Sequence, residues 1–330
     1  MISRIRTIPK KSRETHNINL TKNTIYNIIN ILNPVTQLIT PTHAAKGPHP
    51  MTPYHAPQGG LPSQSTLHTG RAVFTNSYAV IPKGCFSDIV TSVIPGWAQT
   101  KLWLIARPLS GFSETFSHYV MEVAPGGGSD AADPEPGAQS ILFFTHGEAT
   151  LTINGEGFDL GPGSYAYIPA GAAWTLLAEG SEPARFHWIR KLYEPAPGIP
   201  APKAFVTRDQ DMTPAPMPDT NGAWATTRFV DPSDIAHDCH VNIVTFQPGG
   251  LIPFEETHVM EHGLYVLQGR AVYKLNQDWV EVEAGDYMWL RAYCPQACYA
   301  AGTGPFRYLL YKDVNRHAKL RGPGAFGPPA

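Results

Sequence analysis

"EATLTINGEGFDLGPGSYAYIPAGAAW" (148–174) and "RAVYKLNQDWVEVEAGDYMWLRAYCPQ" (270–296) align without a gap at an offset of 122 residues. Asn154 meets Asn276, Gly163 meets Gly285 and Tyr165 meets Tyr287. The match continues outward on both sides. Gly147 meets Gly269 and Gly128 meets Gly250 upstream, and Gly180, Pro183 and Arg185 meet Gly302, Pro305 and Arg307 downstream. Such self-similarity marks a duplicated unit. Each copy reads as short strands. "ATLTING" and "AVYKLNQ" are runs of β-branched and aromatic residues that end in turn residues, and "GSYAYIPAG" and "GDYMWLRAY" supply a further strand each. Short strands at regular spacing with glycine turns predict an all-β sandwich or barrel, built twice. The proline-rich "YEPAPGIPAPKAF" (193–205) reads as the linker between the copies.

Upstream of the second copy stands "FEETHVMEHG" (254–263), with Glu256, His258, Glu261 and His262 within seven positions. As a helix, His258-Val259-Met260-Glu261-His262 would be an H-x-x-E-H zinc-peptidase signature. As strand, turn and strand, Glu256-x-His258-x-x-x-His262 is a metal cluster inside a barrel. Pro248, Gly249, Gly250 and Pro253 precede the motif and Gly263 follows it, leaving no room for the ten or so helical residues that the peptidase reading requires. The barrel reading is the one the context supports.

Composition agrees. Gly (30) and Pro (32) are abundant among 330 residues, which favours turns over long helices. A net charge of −2 offers nothing to nucleic acid or an anionic membrane. No apolar run reaches the length of a membrane span. Cys85, Cys239, Cys294 and Cys298 form no C-x-x-C pair, so reduced thiols and a cytoplasmic location are expected, with Cys294 and Cys298 as small buried hydrophobes. Residues 1–50 differ from the rest, with nine Ile, six Asn, seven Lys or Arg and a single acid, Glu14. They are expected to be an extension outside the core, or a misassigned start with Met51 as the working start. Residues 51–197 are then expected to form the first barrel and 198–330 the second.

The spacings resemble the cupin superfamily, whose first motif is G-x5-H-x-H-x3-4-E-x6-G and whose second is G-x5-P-x-G-x2-H-x3-N. In the second copy Gly250, Glu256, His258, His262 and Gly269 keep the first spacing, and Gly285, Arg291 and Gln296 the second. The resemblance implies a bicupin, two tandem jelly-roll β-barrels, with Glu256, His258, His262 and Gln296 as the metal ligands. Gln stands where the usual last ligand is His. In the first copy the same positions hold Pro134, Pro136, Ser140 and Trp174, none suited to a metal, and Trp174 is expected to be packing.

Within the superfamily, "ETHVMEHGLYVLQG" (256–269) with the 270–296 stretch and "ACYA" (297–300) that follow it, "FRYLLYKDVNR" (306–316), "RAVFTNSYAVIP" (71–82) and "VIPGW" (93–97) resemble the (S)-ureidoglycine aminohydrolase family. This resemblance implies one Mn²⁺ per chain, ureidoglycine as a small-molecule substrate, and hydrolysis to ureidoglycolate and ammonia in allantoin and purine breakdown. It places Tyr273 and Tyr308, with Glu256, Gln296 and Lys312, at substrate-binding positions. Period-2 alternation puts Tyr308, Leu310 and Lys312 on one strand face, and Lys312 is the candidate for proton transfer. Glu261 is expected to point away from the metal, at the surface or behind the ligands. Two His and a carboxylate also suit Fe²⁺, so the rival reading is an Fe(II) dioxygenase or another metal-dependent cupin enzyme; a non-enzymatic storage or sensing bicupin is a further one. A homo-oligomer is expected because barrel pairing covers sheet edges.

Overall fold

The computed structural model describes residues 54–55, 70–86, 91–313 and 316. The expectation for residues 1–50 lies outside them. Every extended element among the described residues is a β-strand, with two short 3₁₀ turns, Lys83–Cys85 and Asp209–Asp211. No described helix is long and apolar enough to cross a membrane. The all-β expectation holds, and so does the bicupin architecture.

The first copy forms a ten-stranded sheet. At its centre Ser117–Ser129, Ala184–Leu192 and Ala138–His146 pair side by side. The second copy forms an eight-stranded sheet whose centre is His262–Gln268, Phe306–Asp313 and Cys239–Phe246. A three-stranded sheet, Asp278–Glu283, Arg270–Leu275 and Gln296–Ala301, closes the second barrel. The duplication is visible bond by bond. Asn154 donates its N–H to Ala173 O at 2.8 Å and Asn276 to Pro295 O at 2.8 Å. Gly163 donates to Phe144 O and Gly285 to Val266 O. Gly147 and Gly269 both sit at positive φ (66° and 78°), where a Cβ would collide with the carbonyl of Pro183 or Pro305. Only glycine satisfies that backbone approach, which is why it recurs.

The copies exchange edges. Tyr78–Ile81, from before the first copy, pairs antiparallel with Tyr287–Leu290 of the second. Phe205–Arg208, from beyond the linker, pairs with Ser164–Ile168 of the first. Tyr165 and Tyr287 are repeat equivalents, so the same edge is covered in each barrel by a segment from the other half. The chain thus crosses a boundary drawn at 197/198 in both directions. The physical reason is that an uncovered edge leaves a row of backbone groups unpaired.

Three apolar interiors result. One lies inside each barrel, and a third lies between the two large sheets, with Phe143, Ile189, Val241, Tyr265, Leu309 and Tyr311 from both copies. Cys239, Cys294 and Cys298 are buried and unpaired, as small hydrophobes. The interior between the sheets also holds His118 and His187, fully buried, with His118 Nε2 3.0 Å from His187 Nδ1. Burial, and then the neighbouring imidazole of His55, push His187 down to about 3. Burial and His187 push His118 down as well.

The unfolded chain takes a proton on such an imidazole near pH 6.5, whereas the folded chain keeps His187 neutral to about 3. Stability therefore falls as pH drops from about 6.5 towards 3, by up to ~1.4 kcal/mol per pH unit for this group. Urea unfolding at pH 7, 6 and 5 should show that decline, and His187→Phe should flatten it. An unchanged slope in the variant would contradict the assignment.

Candidate functional site

The stretch 254–263 is not helical. Glu256 forms an isolated bridge with Gln296 through two backbone hydrogen bonds of 2.9 Å each. His262 opens the strand His262–Gln268. Between them the turn is tied down by the Tyr293 N–H, which donates to His258 O at 2.6 Å. The four candidate residues therefore come from a turn, a strand start and the strand opposite, at one end of the second barrel. Glu256 Oε1 lies 3.3 Å from His258 Nε2. The His258 and His262 ring centroids are 5.1 Å apart. The His258 side chain is 32% exposed and that of Glu256 18%, whereas Gln296 and His262 are 5% and 4% exposed. The mouth is open on the His258 side and closed below.

Burial pushes His262 down to about 3, with the charges of His258 and Lys312 adding to the effect. A neutral imidazole is the form that ligates a metal. Glu256 and His258 stand at ordinary ion-pair distance from each other. Gln296 is held beside Glu256 by the backbone pair. Among the described residues no group of three or more His, Cys, Asp or Glu side chains stands close enough together to hold a metal ion. The donor types, two imidazoles, a carboxylate and an amide, are ones that a divalent cation accepts, and His262 and Gln296 are the deeper pair.

The large sheet lines up the rest of the site in rows. Across the mouth, Tyr78, Leu290, His262, Lys312 and His240 are consecutive register partners. The next row runs Val80, Met288, Leu264, Leu310, Asn242 and Arg228. Below that, Val266, Tyr308 and Val244 belong to the apolar core. Lys312 is half-buried, and its pKa is lowered, by burial first and by the charge of Arg228 second, against the pull of Glu256 and Asp313. Tyr273 and Tyr308 are deep in the same barrel, with ring centroids 6.2 Å apart. The Tyr273 hydroxyl lies against Tyr308 and Cys298 without a well-aligned hydrogen bond among the described residues. Glu256 is near enough for its charge to raise the pKa of Tyr308 and Cys298.

The equivalent mouth of the first barrel is filled. Trp174 packs on Trp97 and Trp188 at 6.1 and 5.6 Å between centroids, and Ser140 accepts a hydrogen bond from the Trp188 indole. An open groove of about 1550 Å³ lies elsewhere, lined by Phe116, Arg190, Lys191, Tyr193 and Arg316 among others. Its Arg190 and Lys191 are already paired with Asp133 and Asp238, so it presents no converging chemistry.

Four residues of the site are additions to the sequence reading: Tyr78, Arg228, His240 and Asn242. The signal for two of them was present, since His240 and Asn242 alternate in phase with the core residues Val244 and Phe246. Glu261 does point away from the ligands, but it is buried rather than at the surface. It accepts hydrogen bonds from the backbone N–H of Glu114 and Thr115, the Thr115 hydroxyl and the Trp289 indole, at 2.6 to 3.0 Å.

The cupin domain model matches residues 119–190 and 242–311, one match per barrel. The (S)-ureidoglycine aminohydrolase of Escherichia coli (strain K12) is 29% identical over 248 residues, 73% of this chain and 93% of that one. The (S)-ureidoglycine aminohydrolase of Arabidopsis thaliana is 30% identical over 249 residues, 75% of this chain and 79% of that one. Among solved structures, the putative glyoxylate induced protein from Pseudomonas aeruginosa is 61% identical, with a TM-score of 0.77, and covers 82% of this chain and 99% of its own.

Two predictions concern the mouth. Tyr293 is 65% exposed and sits at φ 66°, where its repeat equivalent is Gly171 at φ 80°. An exposed tyrosine gains no packing to offset left-handed strain, so Tyr293→Gly should stabilise the fold by about 1 kcal/mol, read as a shift in the urea midpoint. His258→Ala and His262→Ala should each lower the divalent metal retained after dialysis, by metal analysis, while the far-UV circular dichroism is unchanged. Full metal occupancy in both variants would remove them from the ligand set.

Proposed function

We propose that this chain, which belongs to the (S)-ureidoglycine aminohydrolase family, converts (S)-ureidoglycine and water into (S)-ureidoglycolate and ammonia in purine breakdown. The observations that support the reading are the 3.3 Å approach of Glu256 to His258, the backbone bridge of Glu256 with Gln296 and the register pairing of His262 with Lys312. Those four residues would hold one divalent cation. Their nitrogen and oxygen donors, with no thiolate, suit Mn²⁺. When bound, such an ion supplies Lewis-acid stabilisation of the charge that develops at the reacting carbon.

The reacting carbon carries an amine, a carboxylate and a ureido group. Its bond to the amine nitrogen breaks and a bond to a water oxygen forms. The leaving nitrogen needs a proton, and the attacking water must lose one. Lys312 is the group in place for that transfer. Burial and Arg228 lower its pKa, which eases release of its proton. Tyr273 and Tyr308 shape the floor below it and keep bulk water out.

Lys312→Met should keep bound Mn²⁺ and the fold, and lose turnover by about 10²-fold or more, as removal of a general acid–base group does. Ammonia release and metal content measured on the same preparation give both readouts. Turnover retained at the wild-type rate would take Lys312 out of the proton transfer. Oxygen uptake by the wild-type protein in place of ammonia release would replace the hydrolase reading with that of a dioxygenase.

A further inference from the structure

Arg228, Asn242 and His240 sit on two neighbouring strands, Trp224–Arg228 and Cys239–Phe246, and face the interior of the second barrel. The register settles the facing. Trp224 opposes Phe246, both in the barrel core; two residues on, Thr226 opposes Val244; two further, Arg228 opposes Asn242. His240 is the next inward position and is the register partner of Lys312. Charged and ionisable groups therefore occupy only the outer rows of this wall, next to the candidate ligand residues, and the deeper rows are apolar apart from Thr226.

Each of these groups is unusually free. His240 is 4% exposed, yet its Nε2 has no hydrogen-bond partner among the described residues. A buried polar nitrogen without a partner is destabilising unless something binds it. Arg228 makes no ion pair with any other described residue. Its charge nevertheless reaches the wall, because it acts on both Lys312 and His240. Acidic neighbours are few. Glu256 belongs to the candidate ligand set and Asp313 is engaged by the Glu261 N–H. Asp231 and Asp234 act on His240 from the exposed loop before it, as lesser influences, and Asp231 is already bonded to Ser233. Once a cation takes up the charge of Glu256, the wall is left with fixed positive charge and open donors.

We propose that this wall is a carboxylate subsite, in which Arg228 supplies the counter-charge and His240 and Asn242 supply hydrogen bonds. The inference rests on the aminohydrolase reading for the identity of the molecule, a small α-substituted carboxylate, but not for the existence of the subsite. A guanidinium offers two parallel N–H groups to a carboxylate and stays charged at every working pH. Bound there, the carboxylate end of the substrate is fixed beside Lys312, and the opposite enantiomer would exchange its amine and ureido groups relative to Lys312. Arg228 is thus a specificity-determining residue.

The test is binding, not turnover. Oxamate and its neutral relative oxamide differ by one charge, and both are titrated calorimetrically into the full chain with Mn²⁺ added. Wild type should prefer oxamate. Arg228→Gln should weaken oxamate by about tenfold or more and leave oxamide unchanged, and Arg228→Lys should restore part of the loss. Equal oxamate affinity in wild type and Arg228→Gln would mean that chelation alone holds the anion, and would overturn the proposal. So would an equal loss for both probes, which would signal general damage to the site. Because no catalysis is measured, failure of the ureidoglycine reaction would leave this result interpretable. If that reaction holds, Arg228→Gln should raise KM more than it lowers kcat.

Discussion

A β-strand sends alternate side chains to opposite faces, and in this protein the central strands must satisfy an interior on each face. Leu264 and Val266 pack inside the second barrel, whereas Tyr265 and Leu267 pack between the two large sheets. The strand Phe306–Asp313 divides in the same way, with Phe306 and Tyr308 inside and Leu309 and Tyr311 between. A slip of one residue would invert both cores at once. Glu261 and His262 are adjacent and show the consequence. The carboxylate of Glu261 is buried between the copies and held by four donors from Glu114, Thr115 and Trp289. That anchoring leaves His262 no face but the barrel mouth. The site geometry is thus a product of the packing between the copies as much as of the barrel that contains it.

The duplication sets the two barrel mouths side by side and shows where they differ. Both keep the glycine frame and the turn hydrogen bonds, so both close in the same way. At the mouth they diverge by volume and polarity. The first is plugged by Trp97, Trp174 and Trp188, which leaves no room and no donors. The second has Gln296 where the first has Trp174, and His, Glu and Lys around it. It also has Tyr293 where the first has Gly171, a strained substitution beside the His258 turn. Strain of that kind persists where surrounding structure holds it, and it concentrates at functional sites.

Much of this was legible in the chain. The repeat at offset 122 revealed the two barrels, because glycines at positive φ and strand alternation are local properties that survive duplication. The candidate ligand residues stood out as a group because their spacing is set by one turn and one strand. What was not legible depended on distant pairing. Nothing local in Tyr78–Ile81 or Phe205–Arg208 says that each covers an edge in the other half. Glu261 reads as a surface charge until Thr115 and Trp289 are brought to it across 146 and 28 residues of chain. Arg228 escaped because its inward facing follows only from its pairing with Asn242.

The account stands on a metal-assisted release of ammonia at the second barrel. The direct measurement is ammonia production from freshly generated (S)-ureidoglycine by metal-stripped protein, with and without added Mn²⁺. Release above the spontaneous rate that requires both protein and Mn²⁺, with (S)-ureidoglycolate as the product, is the predicted result. Mn²⁺ bound at one per chain with no release above the spontaneous rate would contradict the account, and would leave a metal-loaded bicupin acting on a different substrate.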